Sequence, residues 1–235
     1  PGLLIHVEGR PNRFRSAGRP RNPFASKSSR VARQLLIEQD RYITQRELSK
    51  VLRLGEGFVS SIVRKLEMDG MIVRNNNGAL RPSNPDHLLD AWHDVYDFNR
   101  HHIIKGHVAA RSGDALLRRI ADSLTENAVD YAATGLGAAW LYCHFANFRL
   151  VTIYLQHLPN KELIGLLNFR EDERGANTWL VIPKDEGVFH GSEVRDRIPC
   201  VHPVQVYLDL KDHPERSSEA AAKLRQDYFR WRQDA

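Results

Sequence analysis

The stretch from Gly55 to Arg81 constrains the fold of this chain more than any other. Phe58, Val59, Ile62, Val63 and Leu66 recur at helical spacing and define one stripe to be buried, leaving Gly57, Ser60, Ser61 and Arg64 roughly opposite. A helix with one packed face and one small, polar, basic face matches the width of a DNA major groove. Gly70 stops the pattern. A β-rich run from Met71 to Arg74 follows, then a turn through Asn75, Asn76, Asn77 and Gly78, where positive φ is tolerated, and a return through Ala79 to Arg81. The expected unit is a recognition helix followed by a β-wing.

The residues before it supply the rest of a helix-turn-helix. Ser26 or Ser28 is placed to cap a first helix through Val31, Leu35, Leu36 and Ile37. Thr44-Gln45-Arg46-Glu47 has the form of a capping box opening a second helix over Leu48, Val51 and Leu52, and Leu54-Gly55-Glu56 is the short turn into the third. The plain alternative is a small helical domain whose third helix serves only the core.

Charge favours the first reading. Residues 10–33 hold Arg10, Arg13, Arg15, Arg19, Arg21, Lys27, Arg30 and Arg33 and no acid. Residues 1–82 carry 16 Lys and Arg against 7 Asp and Glu, a surplus of nine, so with the whole chain at +5 the remainder sums to −4. Basic side chains that neutralise phosphates release counterions and supply sequence-independent affinity for double-stranded DNA. The expected contacts are Lys27, Arg30, Thr44, Gln45, Gly57, Ser60, Ser61, Arg64, Lys65, Arg74, Asn76 and Arg81, with Arg64 the candidate for a bidentate guanine contact. The Pro- and Gly-bearing residues 1–22 read as a basic arm, or as the remnant of a preceding segment, with a solvated tail as the alternative.

At 235 residues and 42% hydrophobic content the chain can bury a substantial core in two domains, here 23–85 and 86–235. No apolar run approaches the ~18 residues of a membrane span, and the basic start lacks a signal-peptide core, so the expected location is cytoplasmic. Cys143 and Cys200 are far apart and lack metal-site spacing. After a linker-like Arg81-Pro82-Ser83-Asn84-Pro85, Asp86 is placed to cap a helix with Leu88, Leu89, Trp92, Val95 and Tyr96 inward and Asp90, His93, Asp94 and Asp97 on a solvated face. The pattern then alternates. It reads as a strand over 102–109, a helix over 112–127, a small-residue helix over 132–145, a strand over 149–156, a short helix over 162–168 and a strand over 177–182. Two closing helices follow, one started by Pro203 and one running from Glu215 or Ser217 to Trp231. This predicts an α+β fold with a mixed, helix-covered sheet.

Asn22-Pro23-Phe24-Ala25-Ser26-Lys27-Ser28-Ser29-Arg30-Val31, the Tyr131-Ala132-Ala133-Thr134-Gly135-Leu136 segment, and Val204 to Leu210 with Pro214 to Ala221 together resemble the antitoxins of type IV AbiE toxin–antitoxin systems over about residues 22–235. The resemblance implies an N-terminal winged helix that represses a promoter, and a C-terminal domain related in fold to nucleotidyltransferases that counters a cognate toxin of nucleotidyltransferase type. The basic arm departs from the short antitoxins and leaves open a longer, stand-alone regulator with the same two domains.

A working nucleotidyltransferase needs paired carboxylates to hold Mg²⁺ beside its glycine turn. Residues 131–161, around Thr134-Gly135-Leu136-Gly137, contain no Asp or Glu, and these glycines read as sites of close helix packing. Glu171-Asp172-Glu173 lies in a charge-balanced loop. Strand alternation puts His101 and His107 on one face and His102 on the other, which does not build a metal trio. No catalytic residue, metal site or cofactor is therefore expected. Gln205, Tyr207 and Asp209 read as packing and hydrogen-bond anchors, with Asp209, Arg216 and Glu219 kept as candidate protein-partner contacts. The rival readings are a nucleotidyltransferase-type enzyme acting on nucleic acid, distinguished by carboxylates converging on Thr134 and Gly135, and a nucleic-acid adaptor that reads no sequence. Oligomeric state stays open.

Overall fold

Apolar side chains at helical spacing produce the first helix, α1 (Ser29–Ile37), which buries Val31, Ala32, Leu35 and Leu36. The computed structural model describes residues 22–145, 147–229 and 231, so the arm expected over residues 1–22 lies outside the described residues except for Asn22. Neither expected serine caps α1 through its side chain: Ser28 is already helical at φ −69°, ψ −35°, and the Ser29 hydroxyl donates to the Ser26 carbonyl at 2.7 Å. α2 (Gln45–Val51) opens on the expected capping box, with the Glu47 amide donating to Thr44 Oγ1 at 3.2 Å and the Thr44 amide to Glu47 Oε2 at 2.7 Å. Val51, read as part of the inward stripe, is 48% exposed, and Leu48 and Leu52 anchor this helix instead.

α3 (Glu56–Met68) buries Val59, Ile62, Val63 and Leu66 completely. It ends where Gly70 adopts φ +68°, with the Gly70 amide on the Glu67 carbonyl and the Met71 amide on the Leu66 carbonyl, the Schellman pattern that satisfies the last helical carbonyls. The chain then forms an antiparallel hairpin of β1 (Ile72–Arg74) and β2 (Leu80–Pro82). In its turn the Asn75 side chain accepts from the Asn77 and Ala79 amides and Gly78 takes φ +75°. Ile43 bridges Leu80 and ties the segment before α2 to the hairpin.

The stretch expected as a linker is ordered. Arg81 and Pro82 belong to β2, and Asn84 rather than Asp86 caps α4 (Pro85–Val95), accepting from the His87 amide at 3.1 Å with Pro85 in the first turn. A 3-10 turn (Phe98–Arg100), β3 (His102–His107) and α5 (Gly113–Glu126) follow. Next come β4 (Tyr131–Thr134), α6 (Gly135–Cys143), β5 (Val151–Leu155), α7 (Lys161–Leu167), β6 (Arg170–Glu171) and β7 (Thr178–Ile182). A second 3-10 turn (Glu186–Phe189), β8 (Glu193–Arg195), β9 (Ile198–Cys200), α8 (Pro203–Asp209) and α9 (Ser217–Tyr228) complete the described chain. Seven strands form one mixed sheet in the order β6-β3-β7-β5-β4-β9-β8, with β5·β7 and β4·β9 parallel and the other neighbours antiparallel.

The single helix expected over 132–145 is a buried strand followed by a helix. Gly135 at φ +59° makes the break between them, a conformation a side chain would strain. Gly137 does serve packing, since a Cβ there would meet Leu117 Cδ2 at 3.3 Å. One contiguous apolar cluster runs from Val31 on α1 to Phe229 after α9, and α1 packs against α3, α4 and α8 alike. Among the described residues no helix is long and apolar enough to cross a membrane.

Candidate functional site

The face of α3 opposite its buried stripe is small and basic. Gly57 and Arg64 are exposed and Ser60 and Ser61 half-buried. A Cβ on Gly57 would meet nothing within 4 Å, so packing within the chain does not demand glycine there. Arg64 has no hydrogen-bonding or ionic partner among the described residues, whereas the Ser61 hydroxyl is turned back onto the Phe58 carbonyl at 2.9 Å. Lys65 is half-buried and paired with Asp69 at 2.6 Å.

The hairpin's arginines are more engaged than the sequence implied. Arg74 grips both Glu67 oxygens at 2.7 and 3.2 Å and donates to the Gly78 carbonyl. The Gln45 amide, turned so that its oxygen faces the guanidinium, accepts from Arg74 at 2.8 Å. Arg74 thus joins α2, α3 and the hairpin, and Arg81 lies over the Tyr42 ring at 4.9 Å. Thr44 is consumed by its capping box. Asn76 and Lys27 are exposed, as are Arg46, Lys50 and Arg53, which the sequence reading did not single out.

Two arginines of the basic run do not face solvent, because α1 seats them against the sheet half of the chain. Arg30 donates to both Asp185 oxygens at 2.7 and 2.8 Å with Glu186 at 3.3 Å, and its side chain is only 13% exposed. Next to it on the same helix face, Gln34 hydrogen-bonds the His190 ring. Arg33 is 3% exposed; its Nη2 donates to Gln205 Oε1, its guanidinium lies 5.1 Å from the Trp92 ring, and Nε has no partner among the described residues. Arg30, expected as a phosphate contact, and Arg33 are thus engaged within the chain rather than presented to solvent. The signal was present in spacing, since positions 30, 33, 34 and 37 share one helix face.

Thr134, Gly135 and Asp209 meet in space, and of the two roles expected for Asp209 its burial fits the hydrogen-bond anchor rather than the partner contact. Asp209 is fully buried and accepts from Thr134 Oγ1 at 2.5 Å, Gln205 Nε2 at 2.6 Å, Tyr154 Oη at 3.1 Å and the Tyr96 hydroxyl. Desolvation pushes its carboxyl up to about 6, opposed by these hydrogen bonds. The Lys184 amide donates to His101 Nδ1 at 3.1 Å, so neutral His101 carries its proton on Nε2, 3.1 Å from both tyrosine oxygens. Burial, then the Arg33 charge, lowers His101 to about 4. One carboxylate thus converges on the glycine turn, already surrounded by donors, and no cluster of three metal-ligating side chains occurs among the described residues.

Of the other expected partner contacts, Arg216 and Glu219 are exposed and paired with each other at 3.0 Å. Asp86 and Asp90, near the acidic face of α4, are clamped by Arg225 at 2.6 and 2.5 Å, tying α4 to α9.

A family model described as transcriptional regulator, AbiEi antitoxin, type IV TA system matches residues 81–230. The chain belongs to this antitoxin family. The match covers the sheet, α4 and the Thr134–Asp209 cluster of this AbiEi-family chain, and lies beyond α1 to α3. No curated protein and no solved structure matches the chain.

Proposed function

We propose that this antitoxin-family chain is a winged-helix DNA-binding repressor of its own promoter, and that its sheet-bearing part, residues 86–235, engages a cognate toxin. The observation that carries the reading is the face of α3: its outward positions include Gly57, Ser60, Ser61 and Arg64, and the long cation among these four has no partner among the described residues. A helix presenting a bare arginine and small residues can approach base edges closely, and the hairpin beside it lies where a wing meets the backbone. Exposed Lys27, Arg46, Lys50 and Arg53 are available for phosphate contacts.

In this reading the sheet-bearing part is nucleotidyltransferase-like in shape and catalytically inert. Among the described residues Asp209 is the single acid hydrogen-bonded to the glycine turn, and its oxygens accept from Thr134, Tyr96, Tyr154 and Gln205. It holds α4, β4, β5 and α8 together. The toxin is taken to be of nucleotidyltransferase type, with Arg216 and Glu219 at the exposed contact surface, and the complex is placed in the cytoplasm.

Fluorescence anisotropy of the full chain tests the reading with a duplex from upstream of its own gene and a shuffled duplex, at several salt concentrations. Preference for the native duplex by tenfold or more, with affinity falling steeply as salt rises, is the expected result. Equal affinity for both duplexes means an adaptor that reads no sequence. Mg²⁺-dependent transfer of label from a nucleoside triphosphate to RNA or protein, lost in a Thr134 variant, would replace the inert reading by the enzyme.

A further inference from the structure

A cavity of about 50 Å³ lies on the seam between α1 and the sheet half, walled by Phe24, Ser29 and Arg33 on one side and by Tyr96, His101 and Lys184 on the other. Its most unusual wall is Arg33, a cation 3% exposed to solvent whose side chain, among the described residues, hydrogen-bonds a neutral amide, Gln205, while its buried Nε has no partner there. A buried guanidinium is costly unless a counter-charge meets its donors directly. Among the described residues no acid meets those donors directly: Asp209, reached through Gln205, and Asp185 favour the Arg33 charge only at longer range, both Asp185 oxygens are held by Arg30, and Asp97 accepts from the Asn99 amide and faces Arg100 at 3.6 Å. Arg100 and Lys184 bring two further exposed cations to the mouth.

We propose that this cavity is a binding site for a tetrahedral oxyanion, a phosphate group either free or carried on a small molecule, held by Arg33 with Lys184 and Arg100 at the entrance. Size agrees with charge. One water needs about 10–15 Å³ in the same measure, so the space takes the three to five solvent-sized atoms a phosphate group presents. Planar guanidinium donors suit phosphate oxygens, and the site bridges two parts of the chain, so an occupant stabilises the folded state by mass action. The inference rests on the cavity and does not depend on DNA binding.

Thermal unfolding and calorimetry of the full chain test it, with inorganic phosphate and adenosine monophosphate as probes against sodium chloride at matched ionic strength. The expected result is a saturable rise in Tm with one site per chain in the wild type. The rise shrinks several-fold in Lys184→Ala and Arg100→Ala and disappears in Arg33→Met. Should Arg33→Met fail to fold, the two entrance variants decide the matter, since their side chains are exposed. Tighter binding of the monophosphate identifies a phosphorylated small molecule, and equal binding identifies the free anion. A Tm rise that is linear in phosphate and identical in all variants is a general salt effect and overturns the site, as does the absence of saturable heat with both probes.

Discussion

Replacing Asp209 by Ala strips a common acceptor from Thr134 Oγ1, Gln205 Nε2 and the Tyr96 and Tyr154 hydroxyls. Gln205 keeps the Tyr96 oxygen at 3.0 Å, but Thr134 Oγ1 has no other acceptor among the described residues, and His101 Nε2 cannot accept from the tyrosines while its proton sits there. At least two buried donors are stranded, at about 1–3 kcal/mol each, which gives a loss on the order of 2–6 kcal/mol. The loss should depend on pH in a direction fixed by the carboxyl itself. Its folded value, about 6, lies above the unfolded 3.8, so its contribution is fully present below 3.8 and is lost as pH rises through 6. For a shift of this size the gap between wild type and Asp209→Ala is wider at pH 5 than at pH 8 by about 1.4 kcal/mol, or about 3–6 °C in Tm for a chain of this length. Asp209→Asn, which keeps the shape and removes the titration, should show the same pH difference with a smaller overall loss. Urea and thermal unfolding of the three proteins at both pH values measure this. A gap that does not change between pH 5 and pH 8, or a loss below about 1 kcal/mol, refutes the account of the cluster.

Other perturbations test other parts of the structure. His101, His202 and His213 are each lowered to about 4 by burial, so the unfolded chain binds their protons first as pH falls below 6.5. Stability should drop between pH 6.5 and 4 by on the order of 3 kcal/mol per histidine, partly offset by Asp209, and a flat urea midpoint over pH 7 to 5 would contradict this. Gly57→Ala adds a methyl group into open space on a helix and should keep or slightly raise Tm while weakening DNA binding several-fold, and unchanged affinity would move the interface elsewhere. Arg30→Met should lower stability by about 1–3 kcal/mol by leaving Asp185 without its bidentate partner, yet leave the salt dependence of DNA binding as it was. A reduced salt slope in that variant would return Arg30 to the phosphate contacts.

The α3 stripe, the capping box at Thr44 and the Asn-Gly turn were legible because each is a local pattern, complete within about ten residues. What escaped was set by distant partners. Arg30 and Arg33 looked like phosphate ligands because charge alone was visible, while the groups that bury them, Asp185, Glu186, Gln205 and Trp92, come from after residue 85. Asp209 could be read as an anchor but its partners could not be named, because the groups that donate to it come from the end of α4 and from β4, β5 and α8. Residues 132–134 were read as helix since Ala132, Ala133 and Thr134 carry no strand alternation when both faces are covered, and β6, β8 and β9 are only two or three residues long, too short for any period to register.

The central claim is that α3 reads sequence through Arg64, and selection of binding sites from a random duplex pool by the wild type and by Arg64→Ala tests it most directly. The wild type should enrich a defined motif containing a strongly preferred guanine, and the variant should lose preference at that position at a cost of about 1–3 kcal/mol while keeping the rest of the motif. Enrichment of the same motif, with the same guanine, by both proteins would contradict the assignment.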